Sequence, residues 1–218
     1  MIANDEALDG LPRLGRAEEI AQRLAQAGWG TTEEFLPRLL VSQLAEEARS
    51  LWQSSAFRLA GTGRGNSFRI DTKVRTDRVK WLDPCSLSGA QRVYLNRLEE
   101  LRLAINRHLL LGLFELEAHF AIFPPGSFYR KHLDQFRGVG QRTVTAILYL
   151  NQEWDESDGG QLRIYTDPAD ASHYEEVLPV GGRLVTFLSA RFLHEVVPAR
   201  RDRLSITGWL KRRDERWS

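Results

Sequence analysis

The sequence predicts an α+β fold with a mainly β core, helices first and an antiparallel sandwich or barrel after them. Three features carry this. Apolar residues recur at helical spacing only as far as about Leu111, strict alternation takes over at Phe114, and from there to Leu210 short β-branched runs are punctuated by paired glycines. Helices gathered at one end of a chain cover one face of the sheet that follows, since neither layer can hide its apolar side alone.

From Ala17 to Gly28, Ile20 and Leu24, with Ala21 and Ala25 beside them, make a short amphipathic stripe that stops at glycine. Thr32 followed by Glu33 and Glu34 reads as a second helix start, continued by Leu36, Leu39, Leu40, Leu44, Ala48 and Leu51 toward Trp52, with Pro37 blurring the first turn. Gly61-Thr62-Gly63-Arg64-Gly65-Asn66 is glycine-rich, but no apolar strand feeds it and no helical pattern follows, so it reads as loop rather than phosphate cradle. Tyr94, Leu98, Leu101, Ile105 and Leu109 mark the longest helix, from Ser86 to about Leu111, with Ser86 or Ser88 as N-cap. Phe114, Leu116, Ala118, Phe120 and Ile122 then alternate as a strand. Thr143–Leu150, Gln161–Tyr165 after Gly159-Gly160, Arg183–Leu188 after Gly181-Gly182, and Arg203–Leu210 complete the β series, and a charged tail runs from Lys211 to Arg216. The chain reads as one domain over 1–218, mainly helical over 1–112 and β over 113–212.

The 30 Lys+Arg against 29 Asp+Glu remove the global electrostatic argument for a nucleic-acid binder. No run of about eighteen apolar residues occurs and the N-terminus, with Asn4, Asp5 and Glu6, leads into no apolar core of signal-peptide length, so the expectation is a soluble, cytoplasmic protein with no membrane partner. The single cysteine, Cys85, excludes an internal disulfide and any multi-cysteine metal site.

His132-Leu133-Asp134 ends one predicted strand, where alternate residues point the same way and can converge on a cation. His194, beyond the strand Arg183–Leu188, can be brought opposite them by a sandwich. Two histidines and a carboxylate leave three coordination positions open, an arrangement suited to non-haem Fe(II) handling oxygen. The spacing alone is common, but Arg203, nine residues after His194, adds a guanidinium able to clamp a carboxylate. A zinc-protease pattern fails, because Val196-Val197-Pro198 follows His194-Glu195, and no nucleophile elbow exists. His108, His119 and His173 lack partners at metal-ligand spacing and are assigned structural or surface roles.

Phe123-Pro124-Pro125-Gly126, Tyr129 to Asp134, Thr145 to Asn151, Gly159 to Ile164 and His194 to Pro198 together resemble the prolyl 4-hydroxylase family of Fe(II)/2-oxoglutarate dioxygenases, in the branch of oxygen-sensing prolyl hydroxylase domains and their bacterial relatives. The likeness is strong from Leu113 to Arg212. Upstream, Arg75 to Trp81 resembles the mobile substrate-covering loop and following strand of that branch. The resemblance implies a double-stranded β-helix, or distorted jelly roll, supported by the N-terminal helices.

It also implies roles: His132, Asp134 and His194 as iron ligands; Arg203 and Tyr149 on the distal carboxylate of 2-oxoglutarate; Thr207 and Trp209 lining that pocket. Tyr129 falls near substrate and cosubstrate, Ile147, Leu162 and Val196 form apolar walls, and Arg75, Asp77 and Arg78, near 61–81, touch the substrate. Phe123 stands where the animal members carry tyrosine. The implied cofactors are Fe(II), with 2-oxoglutarate and O2 as cosubstrates and ascorbate as activator. The implied partner is a protein with a target proline, a translation factor among the candidates. A hydroxylase of a free amino acid or small molecule and a non-enzymatic metal-binding β-sandwich remain open. A nucleic-acid demethylase would carry a second arginine where Trp209 stands.

Overall fold

The computed structural model describes residues 15–63, 68–135, 141–167, 169–170 and 172–213; the acidic N-terminus, part of the glycine-rich loop and the end of the charged tail lie outside the described residues. Among the described residues, eleven strands form two antiparallel sheets, with three α-helices on the outer face of the larger. No helix of the described residues is long and apolar enough to cross a membrane.

Helix α1, Arg16–Ala27, buries Ile20, Ala21 and Leu24 and ends where Gly28, at φ 80°, donates its N–H to Leu24. Strand β1, Trp29–Thr32, follows directly, so the second helix does not begin at Thr32. Helix α2, Arg38–Gln53, begins after Pro37 at its N-cap. Proline disfavours α geometry in the residue before it, and its missing N–H costs nothing at a helix start. The buried stripe of α2 is Val41, Leu44, Ala45 and Ala48, while Leu39, expected within it, is 70% exposed. Helix α3, Gly89–Leu109, starts from Ser88, whose hydroxyl accepts from the Gln91 N–H.

The larger sheet runs β1-β9-β6-β11-β4-β3-β2, with β2 at Arg58–Leu59, β3 at Arg78–Trp81, β4 at Leu113–Phe123, β6 at Arg142–Tyr149, β9 at Leu184–Leu188 and β11 at Arg203–Arg212. The smaller sheet is β5-β10-β7-β8: Tyr129–His132, His194–Val196, Leu162–Tyr165 and Tyr174–Val177. Sequence periodicity does not reveal β1, β2, β8 or β10. Each has two to four residues, too few for a period of two to show.

Alternation assigns the two faces of the larger sheet. Ala118, Phe120 and Ile122 of β4, Val144, Ala146 and Leu148 of β6, and Leu204, Ile206 and Leu210 of β11 pack with the helices. Ala121, Phe123, Ile147, Tyr149, Val185 and Phe187 turn the other way, onto Leu162, Ile164, Val177 and Val196 of the smaller sheet. Gly208 permits the closest helix approach, since a Cβ there would lie 3.0 Å from Leu98 and 3.4 Å from the Tyr94 hydroxyl.

The Tyr94 hydroxyl is fully buried and has no hydrogen-bond partner among the described residues. Tyr94→Phe is therefore expected to stabilise the protein by about 1 kcal/mol, seen as a higher denaturant midpoint at unchanged slope, because it removes a desolvated polar group and little volume.

Candidate active site

A cavity of about 890 Å³ opens between the sheets. Its floor comes from one face of β4 and β11: Glu117, His119, Ala121 and Phe123 beside Arg203, Ser205, Thr207, Trp209 and Lys211, every second residue of each strand.

His132 and His194 are Cα partners across β5 and β10, which sets their rings 4.2 Å apart. Asp134 lies past the end of β5, so strand alternation does not aim it; other strands do. Thr145 Oγ1 on β6 donates to Asp134 Oδ2 at 2.8 Å and the Trp209 indole N–H on β11 donates to the same oxygen at 3.0 Å. With its hydrogen given to Asp134, Thr145 receives the Ser189 hydroxyl at 2.8 Å. Oδ1 is left facing His132 Nε2 at 3.4 Å and His194 Nε2 at 3.6 Å, and the three ligand atoms lie within 4.8 Å of one another.

Each imidazole donates its Nδ1–H to a carbonyl two residues back, His132 to Arg130 at 2.7 Å and His194 to Phe192 at 3.0 Å. Carbonyls only accept, so both Nε2 lone pairs point inward, the orientation a metal requires. Burial, with His194 adding to it, holds the His132 pKa down to about 4. Burial pushes the Asp134 carboxyl up, but His194 and His132 together outweigh it and hold the group well below the carboxylate range. Two imidazoles and a carboxylate are a donor set that fits Fe(II) with open positions.

Arg203 is 1% exposed, and among the described residues no carboxylate forms an ion pair with it. Its guanidinium lies between the Phe123 ring at 5.0 Å and the Tyr149 ring at 4.9 Å, and Nε donates to the Gly160 carbonyl at 2.8 Å. That carbonyl is presented by Gly159-Gly160, both at φ 70°, and a Cβ on Gly160 would meet Ala199 and Arg203 itself. Among the described residues, Arg203 Nη2 and the Tyr149 hydroxyl are buried with no hydrogen-bond partner. A desolvated cation beside an unsatisfied hydroxyl is costly unless an anion completes it, and a planar guanidinium suits a carboxylate. Ile147, Leu162 and Val196 line the same cavity, as does Thr207.

Tyr129 stacks on His132 at 3.5 Å, with the Arg75 guanidinium 4.0 Å from its ring centre. Arg75 grips Asp77 through two bonds, Nε to Oδ1 at 2.8 Å and Nη2 to Oδ2 at 2.6 Å, and Asp77 is fully buried. The segment is not a free cover: Thr76 N–H bonds the Phe128 carbonyl, Arg75 bridges Tyr129, and β3 pairs along β4. Arg75 and Asp77 thus reach the cavity as part of its wall. Arg78 does not; its guanidinium lies 5.7 Å from the Trp52 ring, on the helical side. Asp77→Ala is expected to lower stability by about 3 to 5 kcal/mol, because it strands a buried guanidinium, whereas Arg75→Met with Asp77→Leu should cost far less. Chemical denaturation of the single and double variants measures the difference.

His108 bonds Glu18 between α3 and α1, and His173 bonds Asp170 at the surface, both structural as expected. His119 departs from that assignment: it is 5% exposed, lines the cavity and meets Trp81 and Trp209. Its alternation with Ala121 and Phe123 was the available signal, since all three share one face of β4. Thr145 and Ser189, the supports of Asp134, carry no such signal.

The profile of the 2OG-Fe(II) oxygenase superfamily matches residues 118–211. Human Egl nine homolog 1 is 31% identical over 220 residues, covering 94% of this chain, which spans about half (49%) of that relative. Among solved structures, a Pseudomonas putida prolyl-4-hydroxylase shares 43% identity with a TM-score of 0.81, over 90% of this chain and 99% of that one. A Trichoplax adhaerens prolyl hydroxylase, solved with a peptide fragment of the hypoxia inducible factor oxygen degradation domain, shares 26% identity with a TM-score of 0.78, over 92% and 90% of the two chains.

Proposed function

The chain belongs to the prolyl hydroxylases of the 2OG-Fe(II) oxygenase superfamily, and from that premise we propose that it hydroxylates a prolyl residue in a protein, converting 2-oxoglutarate and O2 to succinate and CO2. The observation that supports this most is Arg203, buried and without a carboxylate partner among the described residues, in the same cavity as His132, Asp134 and His194.

In this reading the three side chains hold Fe(II) through the two Nε2 atoms and Asp134 Oδ1. Arg203 and Tyr149 take the distal carboxylate of 2-oxoglutarate, and Thr207 lines its pocket. Iron and oxo acid, when bound, supply oxygen activation and the oxidation of an unactivated carbon. The chain's own contribution is positional. Trp209 and Thr145 fix the carboxylate ligand, the two backbone carbonyls fix the imidazole tautomers, and Ile147, Leu162 and Val196 keep water from the reacting centre. No side chain need carry a proton in the oxidation itself. Phe123 gives Arg203 an aromatic face but no hydroxyl, so Tyr149 supplies the phenolic donor. Arg75 and Tyr129 shape the wall beside His132 where the target would enter. Trp209, bonded to Asp134, occupies the position where a demethylase would need a second guanidinium.

We assign ascorbate as activator, a translation factor as a candidate target and the cytoplasm as the site of action. The deciding experiment offers Fe(II), 2-oxoglutarate and ascorbate with prolyl peptides or with free proline, following succinate release and one added oxygen on proline by mass spectrometry. Peptide hydroxylation supports the reading. Oxidation of free proline alone would turn the assignment to a small-molecule hydroxylase.

A further inference from the structure

His119 sits mid-strand on β4, Cα-paired with Thr207 on one side and Trp81 on the other. The Trp81 indole meets its ring edge-on at 4.8 Å and the Trp209 indole lies at 5.2 Å. Nδ1 is shut off from solvent and has no hydrogen-bond partner among the described residues. Among the described residues Nε2 makes no hydrogen bond either, yet it is not among the shut-off atoms, so it is the nitrogen that the cavity reaches. Burial, reinforced by Arg75 and Arg142, holds the imidazole pKa down to about 3, which leaves the ring neutral with one N–H and one lone pair. A buried N–H without an acceptor is rarer than a buried lone pair without a donor, so the proton belongs on Nε2, where the cavity can satisfy it.

We propose that His119 is a substrate-binding residue whose Nε2–H donates to the carbonyl oxygen of the X–Pro peptide bond of the target, beside the Trp81 and Trp209 indoles. The assignment rests on the prolyl hydroxylase reading above. The X–Pro amide has no N–H, so it presents only an acceptor and an apolar ring. A wall that offers one donor beside two indoles whose centres lie 6.1 Å apart matches that group and leaves no polar atom of the amide unpaired. Of the neighbouring polar groups, the Trp209 N–H is engaged with Asp134, Arg75 with Asp77, and Glu117 with Arg142 and Lys211.

The probe is a prolyl peptide selected by wild-type hydroxylation from a library that walks proline along a fixed frame. Its partner is the same peptide with the X–Pro amide replaced by an alkene isostere. Wild-type kcat/KM is expected to fall about ten-fold from amide to alkene, chiefly through KM. His119→Leu should fall about as far on the amide peptide and lose nothing further on the alkene, because both changes remove one bond. His119→Gln, which keeps an N–H donor, should recover most of the loss. A wild type indifferent to the alkene, or a leucine variant that still discriminates as the wild type does, overturns the assignment. If the leucine variant folds poorly, wild-type discrimination together with its retention by the glutamine variant decides. A wild type that hydroxylates no library member removes the prolyl reading and this proposal with it, an outcome distinct from equal discrimination.

Discussion

Alanine at His132, Asp134 or His194 is expected to lower turnover by more than about 100-fold, exceeding the loss typical of residues that only orient metal ligands. The division of labour within Asp134 sharpens the expectation. Oδ2 is occupied by Thr145 and Trp209, and Oδ1 faces both imidazoles. Removing the carboxylate deletes a ligand and strands two buried donors, so Asp134→Ala should lose both metal affinity and stability. Asp134→Asn should lose metal affinity with a smaller stability cost, since the amide oxygen can still accept from one of those donors. Trp209→Phe keeps the ligand and loses one support, for which about a 10- to 100-fold weaker metal affinity is expected. Anaerobic Fe(II) titration with parallel thermal unfolding separates these cases. Full activity in all three alanine variants at controlled metal content would overturn the iron assignment.

Arg203→Lys is expected to weaken 2-oxoglutarate binding by about 30-fold or more, with Fe(II) affinity largely retained. An ammonium on a flexible stem cannot reproduce the planar pair of donors set between Phe123 and Tyr149, nor the bond to Gly160 that fixes the guanidinium. The protein without ligand bears the cost of this cation, because burial opposes its charge and lowers its pKa from the ordinary arginine value. Arg203→Met should therefore leave the unliganded protein as stable as the wild type or more so, while abolishing the rise in Tm that 2-oxoglutarate gives the wild type. Calorimetric titration of 2-oxoglutarate without oxygen, beside thermal scans with and without it, measures both effects. An unchanged affinity in Arg203→Lys would show that the carboxylate is held elsewhere.

The fold class and most of the site were legible in the chain because they are written in local patterns. Phe114 to Ile122 alternates, Tyr94 to Leu109 repeats at helical spacing, and Gly28 and Ser88 mark helix ends, each through the geometry of a few successive residues. The His132, Asp134, His194 and Arg203 set was found by residue type and spacing joined to family likeness, and the structure brings all of them to one cavity. Short edges were not legible. Strand β1 exists because β9, far along the chain, offers it hydrogen bonds, and β8 exists because β7 does.

What tertiary structure alone decided is how each polar side chain is satisfied. Arg75 and Asp77 read as mobile surface charges until their mutual burial is seen, and Arg78, three residues after Arg75, turns to Trp52 because strand geometry sends it to the opposite face. Asp134 is aimed by Thr145 and Trp209, which lie 11 and 75 residues away, a convergence no local pattern encodes. His119 gave no sign beyond alternation that it faces a cavity rather than a core. The sequence by itself determined which elements form and which chemical groups are available. Burial, and with it which charges are paired and which donors stand idle, depends on contacts between distant strands, so the packed fold alone decided where a ligand is needed.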